Sequence, residues 1–580
     1  GQWRVGIGPY PAGGSHRIEV VGRNRAVIDD VLFGDVWIAS GQSNMVLPMA
    51  RVRETFPDDI ATADFPRIRH FTVPREQDFN APRADLSAGE WQAVTPVSIM
   101  DFSATGFFFA RALYKQYGVP IGIVSTNYGG SGAESWMSEE ALEAYPHYLE
   151  IAKRFRAPGY LQSLIDEDNR VADEWHGRLD ENDAGLTGAR SWHAPGLDDT
   201  DWLTRTVPGF WPEFEGKAGV FWLRRTFDIP GDVAGDPARL LFGRVVDADT
   251  TWVNGIEVGN VTYEWPPRHY DIGAGVLRPG RNVIAMRIAS RGGNAGPVPD
   301  KAWQMRIGGQ TIDLAGDWRF RVGATQEPIA PLKFVRHRQP LGFYNAMLAP
   351  LLKLSIKGVI WYQGETNVGR ADEYVHLFRA LIRSWREDFG QGDVPVLVVQ
   401  LASLLEPQDE PGESDWAELR AAQAQALSEP STAMATALDV GEWNDVHPQD
   451  KKTVGERLAL AARHVAYGEE DLVHSGPVAR AAVLTGDSIV VQYDHFGSGL
   501  RINGDVLQGF AIAGDDGAFG WADARIDGDT VIVTSEDVDR PTRLRYAWAD
   551  NPDTANLYND AGLPALPFEI AVTDQPPSAQ

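Results

Sequence analysis

The chain carries several short, almost wholly apolar runs that stop at Gly, Pro or polar residues and are separated by helix-like stretches. The first is Val36-Trp37-Ile38-Ala39 within the segment Val31 to Ser40. A strand covered on both faces reads as a continuous apolar run, whereas a half-exposed strand alternates. Ile121-Gly122-Ile123-Val124, Ile356 to Tyr362 and Val394 to Leu401 repeat the pattern. Helix-like stretches fall between them: Phe107 to Tyr117, closed by Gly118-Val119-Pro120, then Tyr374 to Asp388 and Trp416 to Leu427. This alternation predicts an α/β domain built on a parallel sheet.

The alternation breaks off from about Leu179 to Ala324. Short strands with turn signals replace it, such as Val220-Phe221-Trp222-Leu223 and Asn282-Val283-Ile284-Ala285-Met286. That predicts an all-β module inserted into the α/β domain. Short strands also open the chain (Arg17 to Val21, Ala26 to Ile28) and close it (Ser488 to Gln492, Thr530 to Val533). The expected organisation is an N-terminal β segment (1–30), a catalytic domain in two parts (31–178 and 325–471), the insertion (179–324) and a C-terminal β domain (472–580). At 580 residues the chain is too long for one core. The terminal Pro-Pro-Ser-Ala-Gln is expected to fray.

Composition narrows the chemistry. There are no cysteines, which removes thiolate metal sites, disulfides and cysteine nucleophiles. The formal net charge of −27 disfavours a polyanion such as nucleic acid and leaves neutral ligands open. No apolar stretch is long enough to predict a membrane span. No signal peptide is read at Gly1, and an exported bacterial location, periplasmic or secreted, is the favoured expectation.

Four segments combine a strand end or turn with residues able to do chemistry. Ser40-Gly41-Gln42-Ser43-Asn44-Met45 directly follows a buried strand, where ligands of α/β sheets bind. A serine there exposes its hydroxyl beside a helix N-terminus, which suits a nucleophile with one oxyanion donor; the same serine could simply cap the helix. In Asn127-Tyr128-Gly129-Gly130-Ser131 the paired glycines allow a backbone N–H close approach to an oxyanion, or form an ordinary turn. Trp361-Tyr362-Gln363-Gly364-Glu365-Thr366-Asn367 offers amides as further donors and an acceptor, Glu365, better suited to orienting neighbours; a plain polar loop is the alternative. In Asn444-Asp445-Val446-His447-Pro448 an aspartate can hold the tautomer of a histidine that takes a serine proton. Asp439 is a weaker partner, and His70, His464 and His495 read as structural. Together the four segments supply what acyl transfer by a Ser–His–Asp system requires.

The blocks Asp35 to Met45, Gly129-Gly130-Ser131 with Glu134 and Trp136, Trp361 to Asn367, and Asp445-Val446-His447-Pro448 before Lys451-Lys452 resemble the sialate O-acetylesterase-like branch of the SGNH hydrolases. The resemblance implies a flavodoxin-like, three-layer SGNH catalytic fold and removal of O-acetyl groups from sugars. It implies Ser43 as nucleophile, His447 as base, Asp445 as its partner and Gly130 in the oxyanion hole with the Ser43 N–H. Gln363 is preferred as third donor, because Gln-Gly-Glu stands where the wider superfamily has an Asn. The wider superfamily also places its Asp three residues before the His, where this chain has Asn444. Gln42, Asn44, Gly129, Glu365 and Asn367 are supporting residues.

The insertion has a resemblance of its own. Asp201-Trp202, Phe221 to Arg225, Trp252-Val253-Asn254-Gly255, Arg268-His269-Tyr270 and Gly280-Arg281-Asn282 are similar to a galactose-binding-like jelly roll, which binds sugar or braces its neighbour. The expected partner is an acetylated oligosaccharide or polysaccharide, of the neutral plant cell-wall type (xylan or xyloglucan), with O-acetyl sialic acid as the alternative. No metal or cofactor is called for. The rival classes are a glycoside hydrolase, which lacks a second carboxylate beside Glu365 in these motifs, and a non-catalytic glycan-binding protein.

Overall fold

The computed structural model of the protein describes residues 7–575. The expected frayed tail Pro-Pro-Ser-Ala-Gln, and the first six residues of the expected N-terminal segment, lie outside the described residues. The fold is mixed α/β, in two compact units. One comprises the chain up to Ala157 together with everything from Val335 onward; the other is Pro158–Phe334.

The first unit is organised by a seven-stranded sheet. Its strands in chain order are β1 (Asp35–Gly41), β2 (Phe65–Thr72), β3 (Trp91–Val94), β4 (Ile121–Asn127), β5 (Gly358–Tyr362), β6 (Val396–Gln400) and β7 (Thr432–Thr436). Their spatial order is β7-β6-β5-β1-β4-β2-β3. Every neighbouring pair is parallel except the edge pair β2–β3. The central strands are buried along most of their length, β5 without exception, which is why they read as unbroken apolar runs.

Alternate side chains of each strand face opposite layers. Ile360 and Tyr362 join the core formed with α2 (Ala104–Tyr117) and α5 (Lys451–Val465), while Trp361 packs against Phe378 and Trp385 of α3 (Ala371–Phe389), beside which lies α4 (Asp415–Ala424). Helix α2 begins where Ser103 accepts a hydrogen bond from the Gly106 N–H, and ends at Gly118 in the left-handed conformation. Helix α5 presses on α2 through Gly455, where a Cβ would meet the Thr105 carbonyl oxygen at 2.9 Å. That contact fixes the helix whose N-terminal loop carries His447.

The same unit begins with a hairpin, Gly13–Val21 paired with Arg25–Phe33, and ends with an eight-stranded sheet drawn from Val478–Thr573. The second unit opens with a 23-residue helix, Tyr160–Asn182, followed by antiparallel strands. A six-stranded sheet and a four-stranded sheet enclose a core of Phe221, Leu240, Met286, Trp303 and Trp318. The helix covers the other face of the larger sheet through Trp175 and Leu179, against Val220 and Trp222.

Candidate active site

The sheet delivers its polar motifs at the carboxyl ends of β1, β4 and β5. Strand β1 ends at Gly41, whose φ is +128° and whose Cβ, if it had one, would fall 2.1 Å from the Tyr362 carbonyl oxygen. Only glycine lets the backbone pass there. The chain then turns into the short helix α1 (Ser43–Val46), with the Gln42 N–H donating to Tyr362 O at 2.9 Å. Ser43 is half-buried at the start of α1. Beside it lies the turn after β4: a Cβ on Gly129 would sit 3.7 Å from Ser43 Cβ. Gly130 has φ +73°, a left-handed turn that suits glycine. Among the described residues, the backbone N–H groups of Ser43 and Gly130 find no hydrogen-bond partner, and neither does the Ser43 hydroxyl.

The histidine loop reaches this turn through Asn44. Its side chain, 1% exposed, donates to Val446 O at 2.9 Å and to Glu365 Oε1 at 2.5 Å, and accepts from Lys451 Nζ at 2.8 Å. The neighbour of Ser43 is thus bonded to the neighbour of His447. Asp445 Oδ1 accepts from the His447 backbone N–H at 2.9 Å and lies 3.6 Å from Nδ1. Both side chains are buried. Burial pushes the His447 pKa below its ordinary value, Asp445 opposes the shift, and Lys451 and Arg51 add to it. The imidazole therefore rests neutral at pH 7, able to accept a proton. Asp439 is committed to Arg457 at 2.6 Å. His70 stacks on Phe102, and burial takes its pKa down to about 4.

Glu365 orients Asn44, as its acceptor-only character suggests. Burial raises its pKa, with the Asn44 hydrogen bond and the charge of Lys451 opposing. Gln363, preferred from the sequence as the third oxyanion donor, is fully buried and spends its amide hydrogens inside the protein. Its Nε2 donates to Asn367 Oδ1 at 2.6 Å and Ser131 O at 3.1 Å, with Gln42 Oε1 at 3.3 Å. Asn367 in turn donates to Glu134 Oε2 at 3.0 Å.

Two residues received no role from the sequence. Lys451, 0% exposed, donates to Asn44 and to Pro448 O at 2.6 Å; burial lowers its pKa to about 8. Its signal was its position at the first turn of α5, where the helix dipole disfavours a cation unless it has buried acceptors. His337 packs on Gly130, its Cδ2 2.8 Å from where a Cβ would stand. No motif marks it.

A family model described as carbohydrate esterase, sialic acid-specific acetylesterase, matches residues 335–464. The rat sialate O-acetylesterase is 31% identical over 612 residues, covering 98% of this chain and 84% of the rat protein. The chain belongs to the sialate O-acetylesterase family of carbohydrate esterases. The human member is 31% identical over 264 residues, 41% of this chain, and that alignment spans half of the human protein. A crystal structure of a carbohydrate acetylesterase from Xanthomonas citri is similar at 30% identity, with a TM-score of 0.62, covering 98% of this chain and 88% of the other.

Proposed function

We propose that the protein is a serine-dependent carbohydrate O-acetylesterase, in which Ser43, His447 and Asp445 form an acyl-transfer site on an SGNH-type sheet. One observation carries the reading: Asn44 ties the segment of Ser43 to the segment of His447 at a place where two backbone N–H groups are left unpaired. Free donors beside a nucleophile are what an oxyanion needs.

Ser43 Oγ attacks the acetyl carbonyl carbon while His447 takes the hydroxyl proton. Asp445 favours the imidazolium as it forms. The tetrahedral oxyanion is held by the N–H groups of Ser43 and Gly130. The intermediate collapses with loss of the sugar oxygen, which takes the proton from His447. Water, deprotonated by the same imidazole, then clears the acetyl group as acetate. Gln363 acts as a brace for the site floor.

The five-segment division of the chain expected from the sequence is likewise a proposal, as is a bracing or a sugar-binding role for the inserted β module. For the substrate, the acidic balance of −27 favours neutral acetylated glycans of the xylan or xyloglucan type. The names of the rat and human relatives favour O-acetyl sialic acid as the second reading. Acetate release compared across acetylated xylan, acetylated xyloglucan and O-acetyl sialic acid separates the two. The mechanism itself is tested by Ser43→Ala, which should keep the circular dichroism of the wild type and lose acetate release. Near-wild-type turnover in that variant ends the serine mechanism.

A further inference from the structure

We propose that the third oxyanion donor is the side-chain amide of Gln42, the residue immediately before Ser43. The proposal rests on the serine-esterase reading and assigns a catalytic contact within it. It follows from counting hydrogens in a buried polar network whose amide orientations are fixed by their partners.

The count starts at Glu134, paired with Arg370 at 3.1 Å. An ionised carboxylate only accepts, so the Asn367 atom facing it at 3.0 Å is the nitrogen. Asn367 Oδ1 then accepts from the Ala133 N–H at 3.1 Å and from Gln363 Nε2 at 2.6 Å. Tyr374 donates its hydroxyl to Gln363 Oε1 at 3.0 Å, which fixes the same orientation from the other end. Gln363 has two amide hydrogens and three acceptors around them, and none of it is exposed. It has no hydrogen left for a substrate.

Gln42 is the reverse case. Its Oε1 faces three N–H donors: Gln363 Nε2 at 3.3 Å, Gly364 N at 3.4 Å and Thr366 N at 3.3 Å. These place the oxygen and so turn the NH₂ group the other way. That NH₂ has no partner among the described residues, although Gln42 is only 3% exposed. The amide nitrogen itself keeps contact with solvent, so a ligand oxygen can reach it and take the bond in place of water. The adjacent Ser43 N–H and the Gly130 N–H are unpaired in the same way. A developing oxyanion at Ser43 would satisfy all three, and the amide is preorganised because its acceptor end is already held.

The test uses p-nitrophenyl acetate with the full-length wild type, Gln42→Glu and Gln42→Asn. Gln42→Glu keeps the acceptor for the three N–H groups and replaces the donor by an oxygen. We expect kcat to fall about 10²–10³-fold with KM within about twofold, the range for loss of one oxyanion donor. Inhibition by phenylboronic acid, which forms a tetrahedral adduct on the serine, should weaken in parallel, while inhibition by acetate, which forms no tetrahedral adduct, should weaken much less. Gln42→Asn, neutral and one methylene shorter, should lose at least about tenfold in kcat and serves if the glutamate variant does not fold. A merely structural role would move the melting temperature and leave the boronate-to-acetate ratio unchanged. Retention of wild-type kcat in either folded variant overturns the proposal. A wild type that does not hydrolyse the ester, or whose Ser43→Ala variant does, instead overturns the esterase reading beneath it.

Discussion

Removing the Asn44 side chain tests whether one buried network assembles the site. Asn44→Ala deletes a hydrogen bond from the Lys451 ammonium, one to the Glu365 carboxylate and one to the Val446 carbonyl. Bonds to charged groups contribute about 1.5–3 kcal/mol each and the neutral one about 1, so the gross loss is about 4–7 kcal/mol. Water entering the vacated space returns part of it, and a net destabilisation of about 3–5 kcal/mol is expected. Lys451→Met loses the same ammonium bond, but it also removes a charge that is costly to bury. A pKa near 8 in place of the ordinary 10.5 corresponds to about 3 kcal/mol at pH 7 for this fully buried group. The methionine variant should therefore be the milder of the two. If the residues act as one unit, the double variant loses less than the sum of the singles by about 1–3 kcal/mol. The assay is chemical unfolding followed by circular dichroism, with kcat on p-nitrophenyl acetate measured in parallel. Freed from Asn44, the Val446–His447 backbone can drift, and a displacement of about 1 Å costs about 10²-fold in rate. Wild-type stability and kcat in Asn44→Ala, or single effects that add within about 0.5 kcal/mol, would refute the reasoning.

The pH profile follows from the two shifted cations. Burial depresses the His447 pKa, so the acid limb of kcat/KM should lie below about 6.5. Asp445→Asn removes the group opposing that shift, and should move the limb to still lower pH while lowering the plateau. The same depression makes His447 a stability liability in acid: the unfolded chain takes the proton first, so stability falls as pH drops below about 6.5. Lys451 adds an alkaline limb near pH 8 that should be absent in Lys451→Met. Gly41→Ala should prevent accumulation of folded protein, because its Cβ would stand 2.1 Å from a backbone oxygen; soluble yield and circular dichroism check it. Gly130→Ala should lose activity by collision with His337, and His337→Ala in that background should restore part of it on p-nitrophenyl acetate.

What the sequence made legible is set by how local each signal is. The strands β1, β4, β5 and β6 stand out because burial on both faces writes an unbroken apolar run, and the polar residues that end them announce the site. Strand β2 does not stand out: Phe65-Pro-Arg-Ile-Arg-His-Phe-Thr mixes charge with apolar residues, because it lies next to the sheet edge with much of its length partly exposed. Strand β7, Thr-Ala-Met-Ala-Thr, sets two alanines and one methionine between threonines, so its burial leaves a weak signature. The helix Tyr160–Asn182 has only two fully buried residues, Trp175 and Leu179, and its charged remainder reads as surface. At the site, Ser43 and His447 could be proposed from their own segments, since a strand end before a short helix and an Asp-x-His before another are local patterns.

The division of labour between Gln42 and Gln363 could not be read in this way. Both are amides at strand ends, and nothing within either motif says which hydrogens are spent. That depends on Glu134, Asn367 and Tyr374, which arrive from the turn after β4, the loop after β5 and helix α3. A carboxylate that can only accept fixes one amide, that amide fixes the next, and the donor left over stands beside Ser43, the proposed nucleophile. The catalytic role of a side chain in this site is therefore a property of the whole hydrogen-bond network, and a motif can place the residue without assigning its hydrogens.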